Sequence, residues 1–202
     1  FYKGVEEWFK RINEWGESLG VKIEHYIISS GLREIIEGSS IYKEFKDVFA
    51  CEFLYDVNDI ACWPKNVVNY TTKTQFLFRI NKGSLDLSDD VTLNEFIPED
   101  ERRVPFRNMI YIADGITDIP CMKLVKVNGG YSICVFQNNE KSKQIAGNLL
   151  RDDRVNFAVP ADYSPDKKLD KVIRDIISEI AMKDKLIKLS IKQKEKDNNQ
   201  GK

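Results

Sequence analysis

The stretch NMIYIADGITDIP, residues 108–120, decides the fold of this 202-residue chain. A mostly apolar run leads directly into Asp114, and a second acid, Asp118, follows shortly before Pro120. A short apolar run bounded by turn residues is typical of a buried strand, and proline is favoured in the first turn of a helix. The stretch therefore predicts a buried strand, a loop with two carboxylates, and a helix over residues 119–127.

Similar apolar runs recur along the chain and alternate with helical patterns. They are HYIIS (25–29), MIYIA (109–113), SICVF (132–136) and NFAVP (156–160). Continuous apolar strands separated by helices predict an α/β fold with a mostly parallel, Rossmann-like sheet covered by helices on both faces. CEFLYDVNDIACWP (51–64) adds a small β-hairpin with its turn at residues 57–59.

Five further segments have a helical pattern, and one of them is KSKQIAGNLLRDD (141–153). Apolar residues from Val5 to Trp15 predict an amphipathic helix that ends near Gly16. Residues 32–50 predict a helix interrupted at 38–40, and residues 71–81 one capped by Thr71 or Thr72 and ended by Gly83. A long amphipathic helix follows near the C-terminus. We predict a core domain over residues 1–182, and a polar helix end with a disordered tail over residues 183–202.

Composition narrows the class of protein. The chain carries 31 basic and 32 acidic residues, a net charge of −1, so nothing favours nucleic acid or an anionic membrane surface as a partner. No apolar run approaches the roughly 20 residues that span a bilayer. Its four cysteines lack metal-ligand spacing, which predicts a reduced, cytoplasmic protein.

Polar residues stand where two of the predicted strands end. Ligands of parallel sheets bind outside the carboxyl ends of the strands, and Ser29 and Asp114 occupy such positions. Asp114 and Asp118 together predict an Mg²⁺ site, because this ion needs only one or two carboxylates beside phosphate and water. The alternative is that Asp114 opens a turn and Asp118 caps the next helix.

Two further features predict a phosphate site. Ser29, Ser30 and Gly31 offer a hydroxyl and backbone N–H groups after a strand, although an ordinary strand–helix junction has the same composition. Lys73 lies in the first turn of a helix, where the helix dipole disfavours a cation. A phosphate and a carboxylate would compensate the positive charge of Lys73 at this position. The alternative is that Lys73 is a solvated surface lysine.

In order and spacing these residues resemble the haloacid dehalogenase (HAD)-like hydrolase superfamily, in particular its phosphoserine-phosphatase-like members. IISSG resembles the second motif of the family, KTQFL the third, and ADGITDIP the fourth, with Ala113 where the family usually has glycine. The resemblance implies an Mg²⁺-dependent phosphatase that acts through an aspartyl-phosphate on a small phosphorylated metabolite.

The resemblance also implies roles for individual residues. Ser29, helped by the backbone of Ser30 and Gly31, would bind the phosphoryl group, and Lys73 would neutralise it and hold the nucleophile. Asp114 would bind Mg²⁺ directly. Asp118 would bind the ion directly or through water, or orient Lys73.

The first motif of the family, DxDx(T/V), is absent before Ser29. In the family it supplies the nucleophilic aspartate on the central strand, between the strands that end at Ser29 and Asp114. We therefore expect a missing N-terminal segment to carry this strand and any cap domain, and the chain alone to be inactive. The alternative is a catalytically inactive HAD-like binding or regulatory module. A nucleotide-binding domain is weaker, because no GxGxxG or GxxxxGK[ST] loop occurs.

The remaining polar candidates have simpler interpretations. His25 lies within a strand pattern and is interpreted as a core residue, not as a catalytic base. Arg102, Arg103 and Arg107 can meet an anionic substrate group, but a solvated loop is the simpler interpretation.

Overall fold

The computed structural model describes the backbone of residues 1–200 and the side chains of residues 1–193. Helices and strands alternate over most of this part of the chain, which makes the protein mixed α/β. In chain order the elements are α1 (Val5–Ser18), β1 (His25–Leu32), α2 (Arg33–Glu37), β2 (Phe45–Tyr55), β3 (Ala61–Asn66), α3 (Lys73–Lys82), α4 (Asp90–Asn94), β4 (Ile110–Ala113), α5 (Ile119–Val127), β5 (Tyr131–Phe136), α6 (Glu140–Arg151), β6 (Phe157–Pro160) and α7 (Lys168–Gln200).

The chain divides into two compact units, where the sequence predicted a single core over residues 1–182. One unit combines Phe1–Ile23 with the chain from Asp162 onward, and the other is Glu24–Ala161. In the first unit α1 packs against α7, and the Arg11 side chain donates a hydrogen bond to the buried Asp170 carboxylate at 3.0 Å. All six strands and every predicted site residue belong to the second unit.

The second unit contains two three-stranded sheets, in the orders β1-β2-β3 and β4-β5-β6. β1 and β2 are parallel, with Ile28 opposite Phe49, and β3 adds the predicted hairpin in antiparallel fashion. β4, β5 and β6 are all parallel. The predicted mixed α/β class with parallel strands is confirmed, whereas the strands of the described chain form two separate sheets.

One buried cluster contains residues from both sheets of this unit. Its fully buried members come from β2, from α3 and α5, and from the chain around β4: Phe49, Val68, Phe76, Leu77, Ile80, Phe106, Met109, Cys121 and Val125. Tyr26 and Ile28 of β1 and Tyr111 of β4 pack at its margin. The two sheets therefore share a core through α3 and α5, which also contact each other.

Burial differs sharply between the inner and outer strands of these sheets. Residues 132–135 of β5 are buried, whereas every residue of β4 is only half-buried, although both strands are largely apolar. The first five residues of β1 are likewise half-buried. Within the described residues β1 pairs only with β2, and β4 only with β5. One edge of each apolar strand is therefore without a strand partner in this part of the chain.

Three predicted elements differ from the structure. Residues 45–50 are not helical but belong to β2, because pairing with β1 overrides local helix propensity. α1 continues past Gly16 to Ser18, and a Cβ at Gly16 would lie 2.7 Å from the Ile23 side chain, so the glycine permits close packing.

α7 is helical as far as Gln200, where a disordered tail was predicted; the last two residues lie outside the described part.

Both predicted ends of α3 can be compared with the structure. Gly83 ends the helix with a φ of 82°, as predicted. Thr72 occupies the N-cap position, but its side chain does not cap the helix; its hydroxyl accepts from the Asn69 backbone N–H instead.

Candidate functional site

A buried ion pair joins the two regions of the sequence that carry the third and fourth motif resemblances. Lys73 is the first residue of α3, and Asp118 ends the single 3₁₀ turn that precedes α5. The Lys73 Nζ donates to Asp118 Oδ1 at 2.8 Å. Only 6% of the Lys73 side chain and 11% of the Asp118 side chain are exposed. The structure therefore brings these two predicted site residues into direct contact.

The helix around Lys73 explains its direction. Phe76, Leu77 and Ile80 are buried in the shared core and fix which face of α3 points inward. Lys73 lies at the start of the helix, where unpaired backbone N–H groups make the local potential positive. The Asp118 carboxylate compensates both charges. Lys73 is thus not the solvated surface lysine of the alternative interpretation.

Asp118 occupies the N-cap position of α5, but its side chain makes no capping hydrogen bond. Its Oδ1 faces Lys73, and its Oδ2 lies near the loop, 3.4 Å from the Thr117 hydroxyl. A Cβ at Gly115 would come within 3.2 Å of this oxygen. The alternative interpretation of Asp118 as a plain helix cap therefore fails, and Gly115 keeps the loop close to the carboxylate.

Tyr111 is a site residue that the sequence did not single out. Its hydroxyl donates to the same Asp118 Oδ1 at 2.6 Å, and its side chain packs at the margin of the shared core, which contains the buried Cys121. Burial, with the neighbouring Cys121 and Asp118, raises the pKa of Tyr111 well above its usual range, which keeps it a donor. A hydroxyl in an otherwise apolar strand, shortly before two acids, was the available signal.

Asp114 directly follows β4 and is exposed. Its charge adds to the effect of burial in raising the pKa of Cys134 on the neighbouring β5 to about 11, with burial the larger cause. β5 is parallel to β4, and Cys134 stands opposite Ala113, the residue before Asp114. The Asp114 side chain is therefore exposed at the carboxyl end of β4.

Ser29, Ser30 and Gly31 belong to the C-terminal part of β1. Ser29 is half-buried, and Ser30 and Gly31 are exposed. The Gly31 N–H donates to the Ser29 hydroxyl oxygen at 3.0 Å, and the Cys51 thiol donates to the Ser30 carbonyl at 3.6 Å. The Ser29 O–H is available to an anion, whereas the Gly31 amide is bound to Ser29 in this conformation.

The four predicted residues thus fall into two groups. Lys73 and Asp118 touch, while Ser29 and Asp114 stand near the carboxyl ends of strands in two different sheets. Among the described residues no group of three or more His, Cys, Asp or Glu side chains is arranged around a common metal position. An Mg²⁺ ion that keeps several water ligands and binds phosphate does not require such a group. The exposed Asp114 carboxylate fits this coordination.

The other polar candidates are occupied by internal contacts. Burial lowers the pKa of His25 to about 4, as for a neutral residue inside a protein. Arg103 binds both oxygens of Glu24 at 2.6 Å and donates to the Tyr26 hydroxyl at 3.0 Å. The Arg107 guanidinium lies 3.4 Å from an Asp100 oxygen.

Fold and site together define a mixed α/β protein with a lysine–aspartate pair at the end of a parallel sheet. Every helix among the described residues is too short or too polar to cross a membrane. No protein-family model matches the chain. The chain is 32% identical over 189 residues to an uncharacterized protein of Borreliella burgdorferi. The match covers 84% of this chain and 64% of that relative, so the relative is the longer protein.

Proposed function

We propose that this chain is the core of an Mg²⁺-dependent phosphohydrolase of the HAD-like type. The observation that carries the proposal is the buried Lys73–Asp118 pair, which links the start of α3 to the loop that contains Asp114. A buried ammonium paired with one acid of a loop, when the other acid of that loop is exposed, suits a phosphoryl group and its cation. Lys73, Asp114 and Asp118 stand in the order and spacing of the resembling motifs.

We infer that the two sheets become one Rossmann-like sheet when a further strand pairs between β1 and β4. Both strands are apolar, only half-buried, and without a partner along one edge in the described chain. Free apolar edges favour aggregation, so working proteins cover or pair them. The shared core under both sheets supports this arrangement. The greater length of the Borreliella burgdorferi relative is compatible with a segment that supplies the strand.

In the proposed site each residue has a distinct role. The Ser29 hydroxyl donates to a phosphoryl oxygen, with the exposed backbone of Ser30 and Gly31 beside it. Lys73 offsets the phosphoryl charge, and Asp114 holds Mg²⁺, which supplies further charge neutralisation when bound. Asp118 orients Lys73. A direct bond from Asp118 to the ion would come from its Oδ2, because its Oδ1 already accepts from two donors.

The proposed reaction needs a carboxylate that the added strand supplies. That carboxylate attacks phosphorus, the bond from phosphorus to the ester oxygen breaks, and the leaving alkoxide takes a proton from a general-acid aspartate of the same strand. Water then hydrolyses the aspartyl-phosphate, which restores the carboxylate and releases inorganic phosphate. The chain alone is inactive in this proposal, and the substrate is a small phosphorylated metabolite. We place the reaction in the cytoplasm, which the four free thiols support.

The test is hydrolysis of p-nitrophenyl phosphate by the full product of the gene that encodes this chain. We expect turnover with Mg²⁺, none with a chelator, and a loss of at least about 100-fold in Asp114→Asn. Asp59→Asn is the matched control, because Asp59 lies in the exposed hairpin turn and asparagine tolerates its φ of 59°. Turnover in Asp114→Asn equal to that of the control would defeat the proposal.

The second candidate is a binding module that keeps the pocket without the chemistry. It is favoured by the absence of a DxDx(T/V) motif from all 202 residues. This candidate predicts that the full gene product binds phosphate together with Mg²⁺ but hydrolyses no ester. Binding with turnover selects the phosphatase instead.

A further inference from the structure

Two side chains share one oxygen of Asp118. The Lys73 Nζ and the Tyr111 hydroxyl both donate to Oδ1, at 2.8 and 2.6 Å. Tyr111 is half-buried and packs against the shared core, which contains the fully buried Cys121. The chain of contacts therefore runs from the core through Tyr111 and Asp118 to Lys73.

A single donor does not fix a carboxylate. The χ2 torsion of aspartate is broad, so an ammonium on a flexible stem can follow the carboxylate as it rotates. A second donor on the same oxygen, carried by β4 and packed against the shared core, removes that freedom. Hydrogen bonds to an ionised acceptor are also the stronger ones.

We propose that Tyr111 is a positioning residue that fixes the Asp118 carboxylate and, through it, places the Lys73 ammonium for a phosphoryl oxygen. This inference rests on the proposed function of the site. It also gives the two acids of the loop different roles: Asp118 serves Lys73, and Asp114 serves the cation.

The protein contains a matched control for this arrangement. At the opposite end of β1 the Tyr26 hydroxyl donates to a Glu24 oxygen at 2.7 Å, and Arg103 binds the same carboxylate. Tyr26 and Tyr111 therefore each join a carboxylate that carries a cation, and both lie at the margin of the shared core. Tyr26→Phe removes an equivalent hydrogen bond away from the site.

The first readout is the affinity of the chain for inorganic phosphate with Mg²⁺, measured by ³¹P NMR titration. We expect Tyr111→Phe to weaken binding about fivefold to tenfold and Tyr26→Phe to leave it unchanged. In an Asp118→Asn background the added effect of Tyr111→Phe should vanish, since it acts through that carboxylate. An equal loss in both backgrounds, or no loss in the first, would overturn the proposal.

The second readout does not depend on phosphate. The ¹⁵N–¹H resonance of the Lys73 ammonium, assigned by its loss in Lys73→Met, reports how rigidly the group is held. We expect exchange with water to accelerate at least about tenfold in Tyr111→Phe but not in Tyr26→Phe. An unchanged exchange rate refutes the role of Tyr111. Absence of phosphate binding in the wild-type chain, with the exchange result as expected, counts against the proposed function alone.

Discussion

At the scale of single residues, the candidate site depends on a buried pair of opposite charges, Lys73 and Asp118. Sequence reasoning identified Lys73, because a cation at a helix start needs a compensating partner, and identified Asp118 as an acid of the predicted Mg²⁺ site. The structure pairs the two at 2.8 Å. Sequence reasoning did not identify Tyr111. A tyrosine within an apolar strand normally serves as a core residue, and the direction of its hydroxyl depends on tertiary packing.

The first prediction concerns the cost of breaking this pair. Asp118→Asn keeps the size of the side chain but leaves the buried Lys73 ammonium without its counter-charge. We expect the free energy of unfolding to fall by about 3 kcal/mol, measured by urea denaturation. Asp118→Asn combined with Lys73→Met should cost less than the sum of the two single changes. Strict additivity would show that the two groups do not interact.

The second prediction concerns pH and His25, the single histidine. Burial lowers its pKa from 6.5 to about 4, so the unfolded chain binds a proton more readily than the folded one. Stability is therefore full above about pH 6.5 and decreases as the pH falls toward 4, by roughly 2 kcal/mol at pH 5. The measurement is thermal or urea unfolding across this range.

His25→Gln is the control for this titration. Removing the imidazole should flatten the stability curve between pH 6.5 and 5, where the carboxyl groups remain ionised in both states. An identical slope in wild type and variant would exclude His25 as its source.

At the scale of elements, the strands and helices near the site follow from local pattern. α5 matches the predicted range, and Gly83 ends α3 through its positive φ, which glycine tolerates best. The first part of β2 was missed, because residues 45–50 were assigned to a helix and the pairing of β2 with β1 is non-local. Arg79 was missed too: its buried guanidinium donates to the carbonyls of Asp86, Leu87 and Asp89, which orders a loop without sequence periodicity.

The third prediction concerns the free edges of β1 and β4. Neighbouring residues of a strand direct their N–H groups to opposite sides, so a strand paired on one side leaves alternate amides unbonded. We expect alternate amides of β4 to exchange with deuterium at least about tenfold faster than those of β5, which has partners on both sides. NMR-detected exchange measures this directly.

The same experiment on the full gene product provides the comparison. If a further strand pairs between β1 and β4, the β4 amides that exchange fast in the chain by itself become protected in the full gene product. Uniform protection of β4 in the chain by itself would contradict the inferred gap between the sheets.

At the scale of the whole molecule, composition and strand–helix alternation were enough to predict a mixed α/β protein with parallel strands. The division into two units was beyond sequence reasoning, because α1 and α7 are far apart in the chain and their association is a tertiary fact. So was the separation of the two sheets, since periodicity identifies strands but not their neighbours. The sequence did suggest the separation of the two sheets indirectly, because the absent first motif belongs to the strand that lies between β1 and β4 in the resembling family.

The central proposal is that the carboxyl ends of β1 and β4, together with Lys73, form one site for a cation and a phosphate group. Its most direct test is anomalous diffraction from crystals of the chain grown with Mn²⁺ and tungstate, which stand in for Mg²⁺ and phosphate. We expect the manganese peak in direct contact with Asp114 and the tungstate peak within hydrogen-bond distance of the Ser29 hydroxyl and the Lys73 ammonium. Peaks on unrelated surfaces, or manganese and tungstate at separate places, would contradict the account.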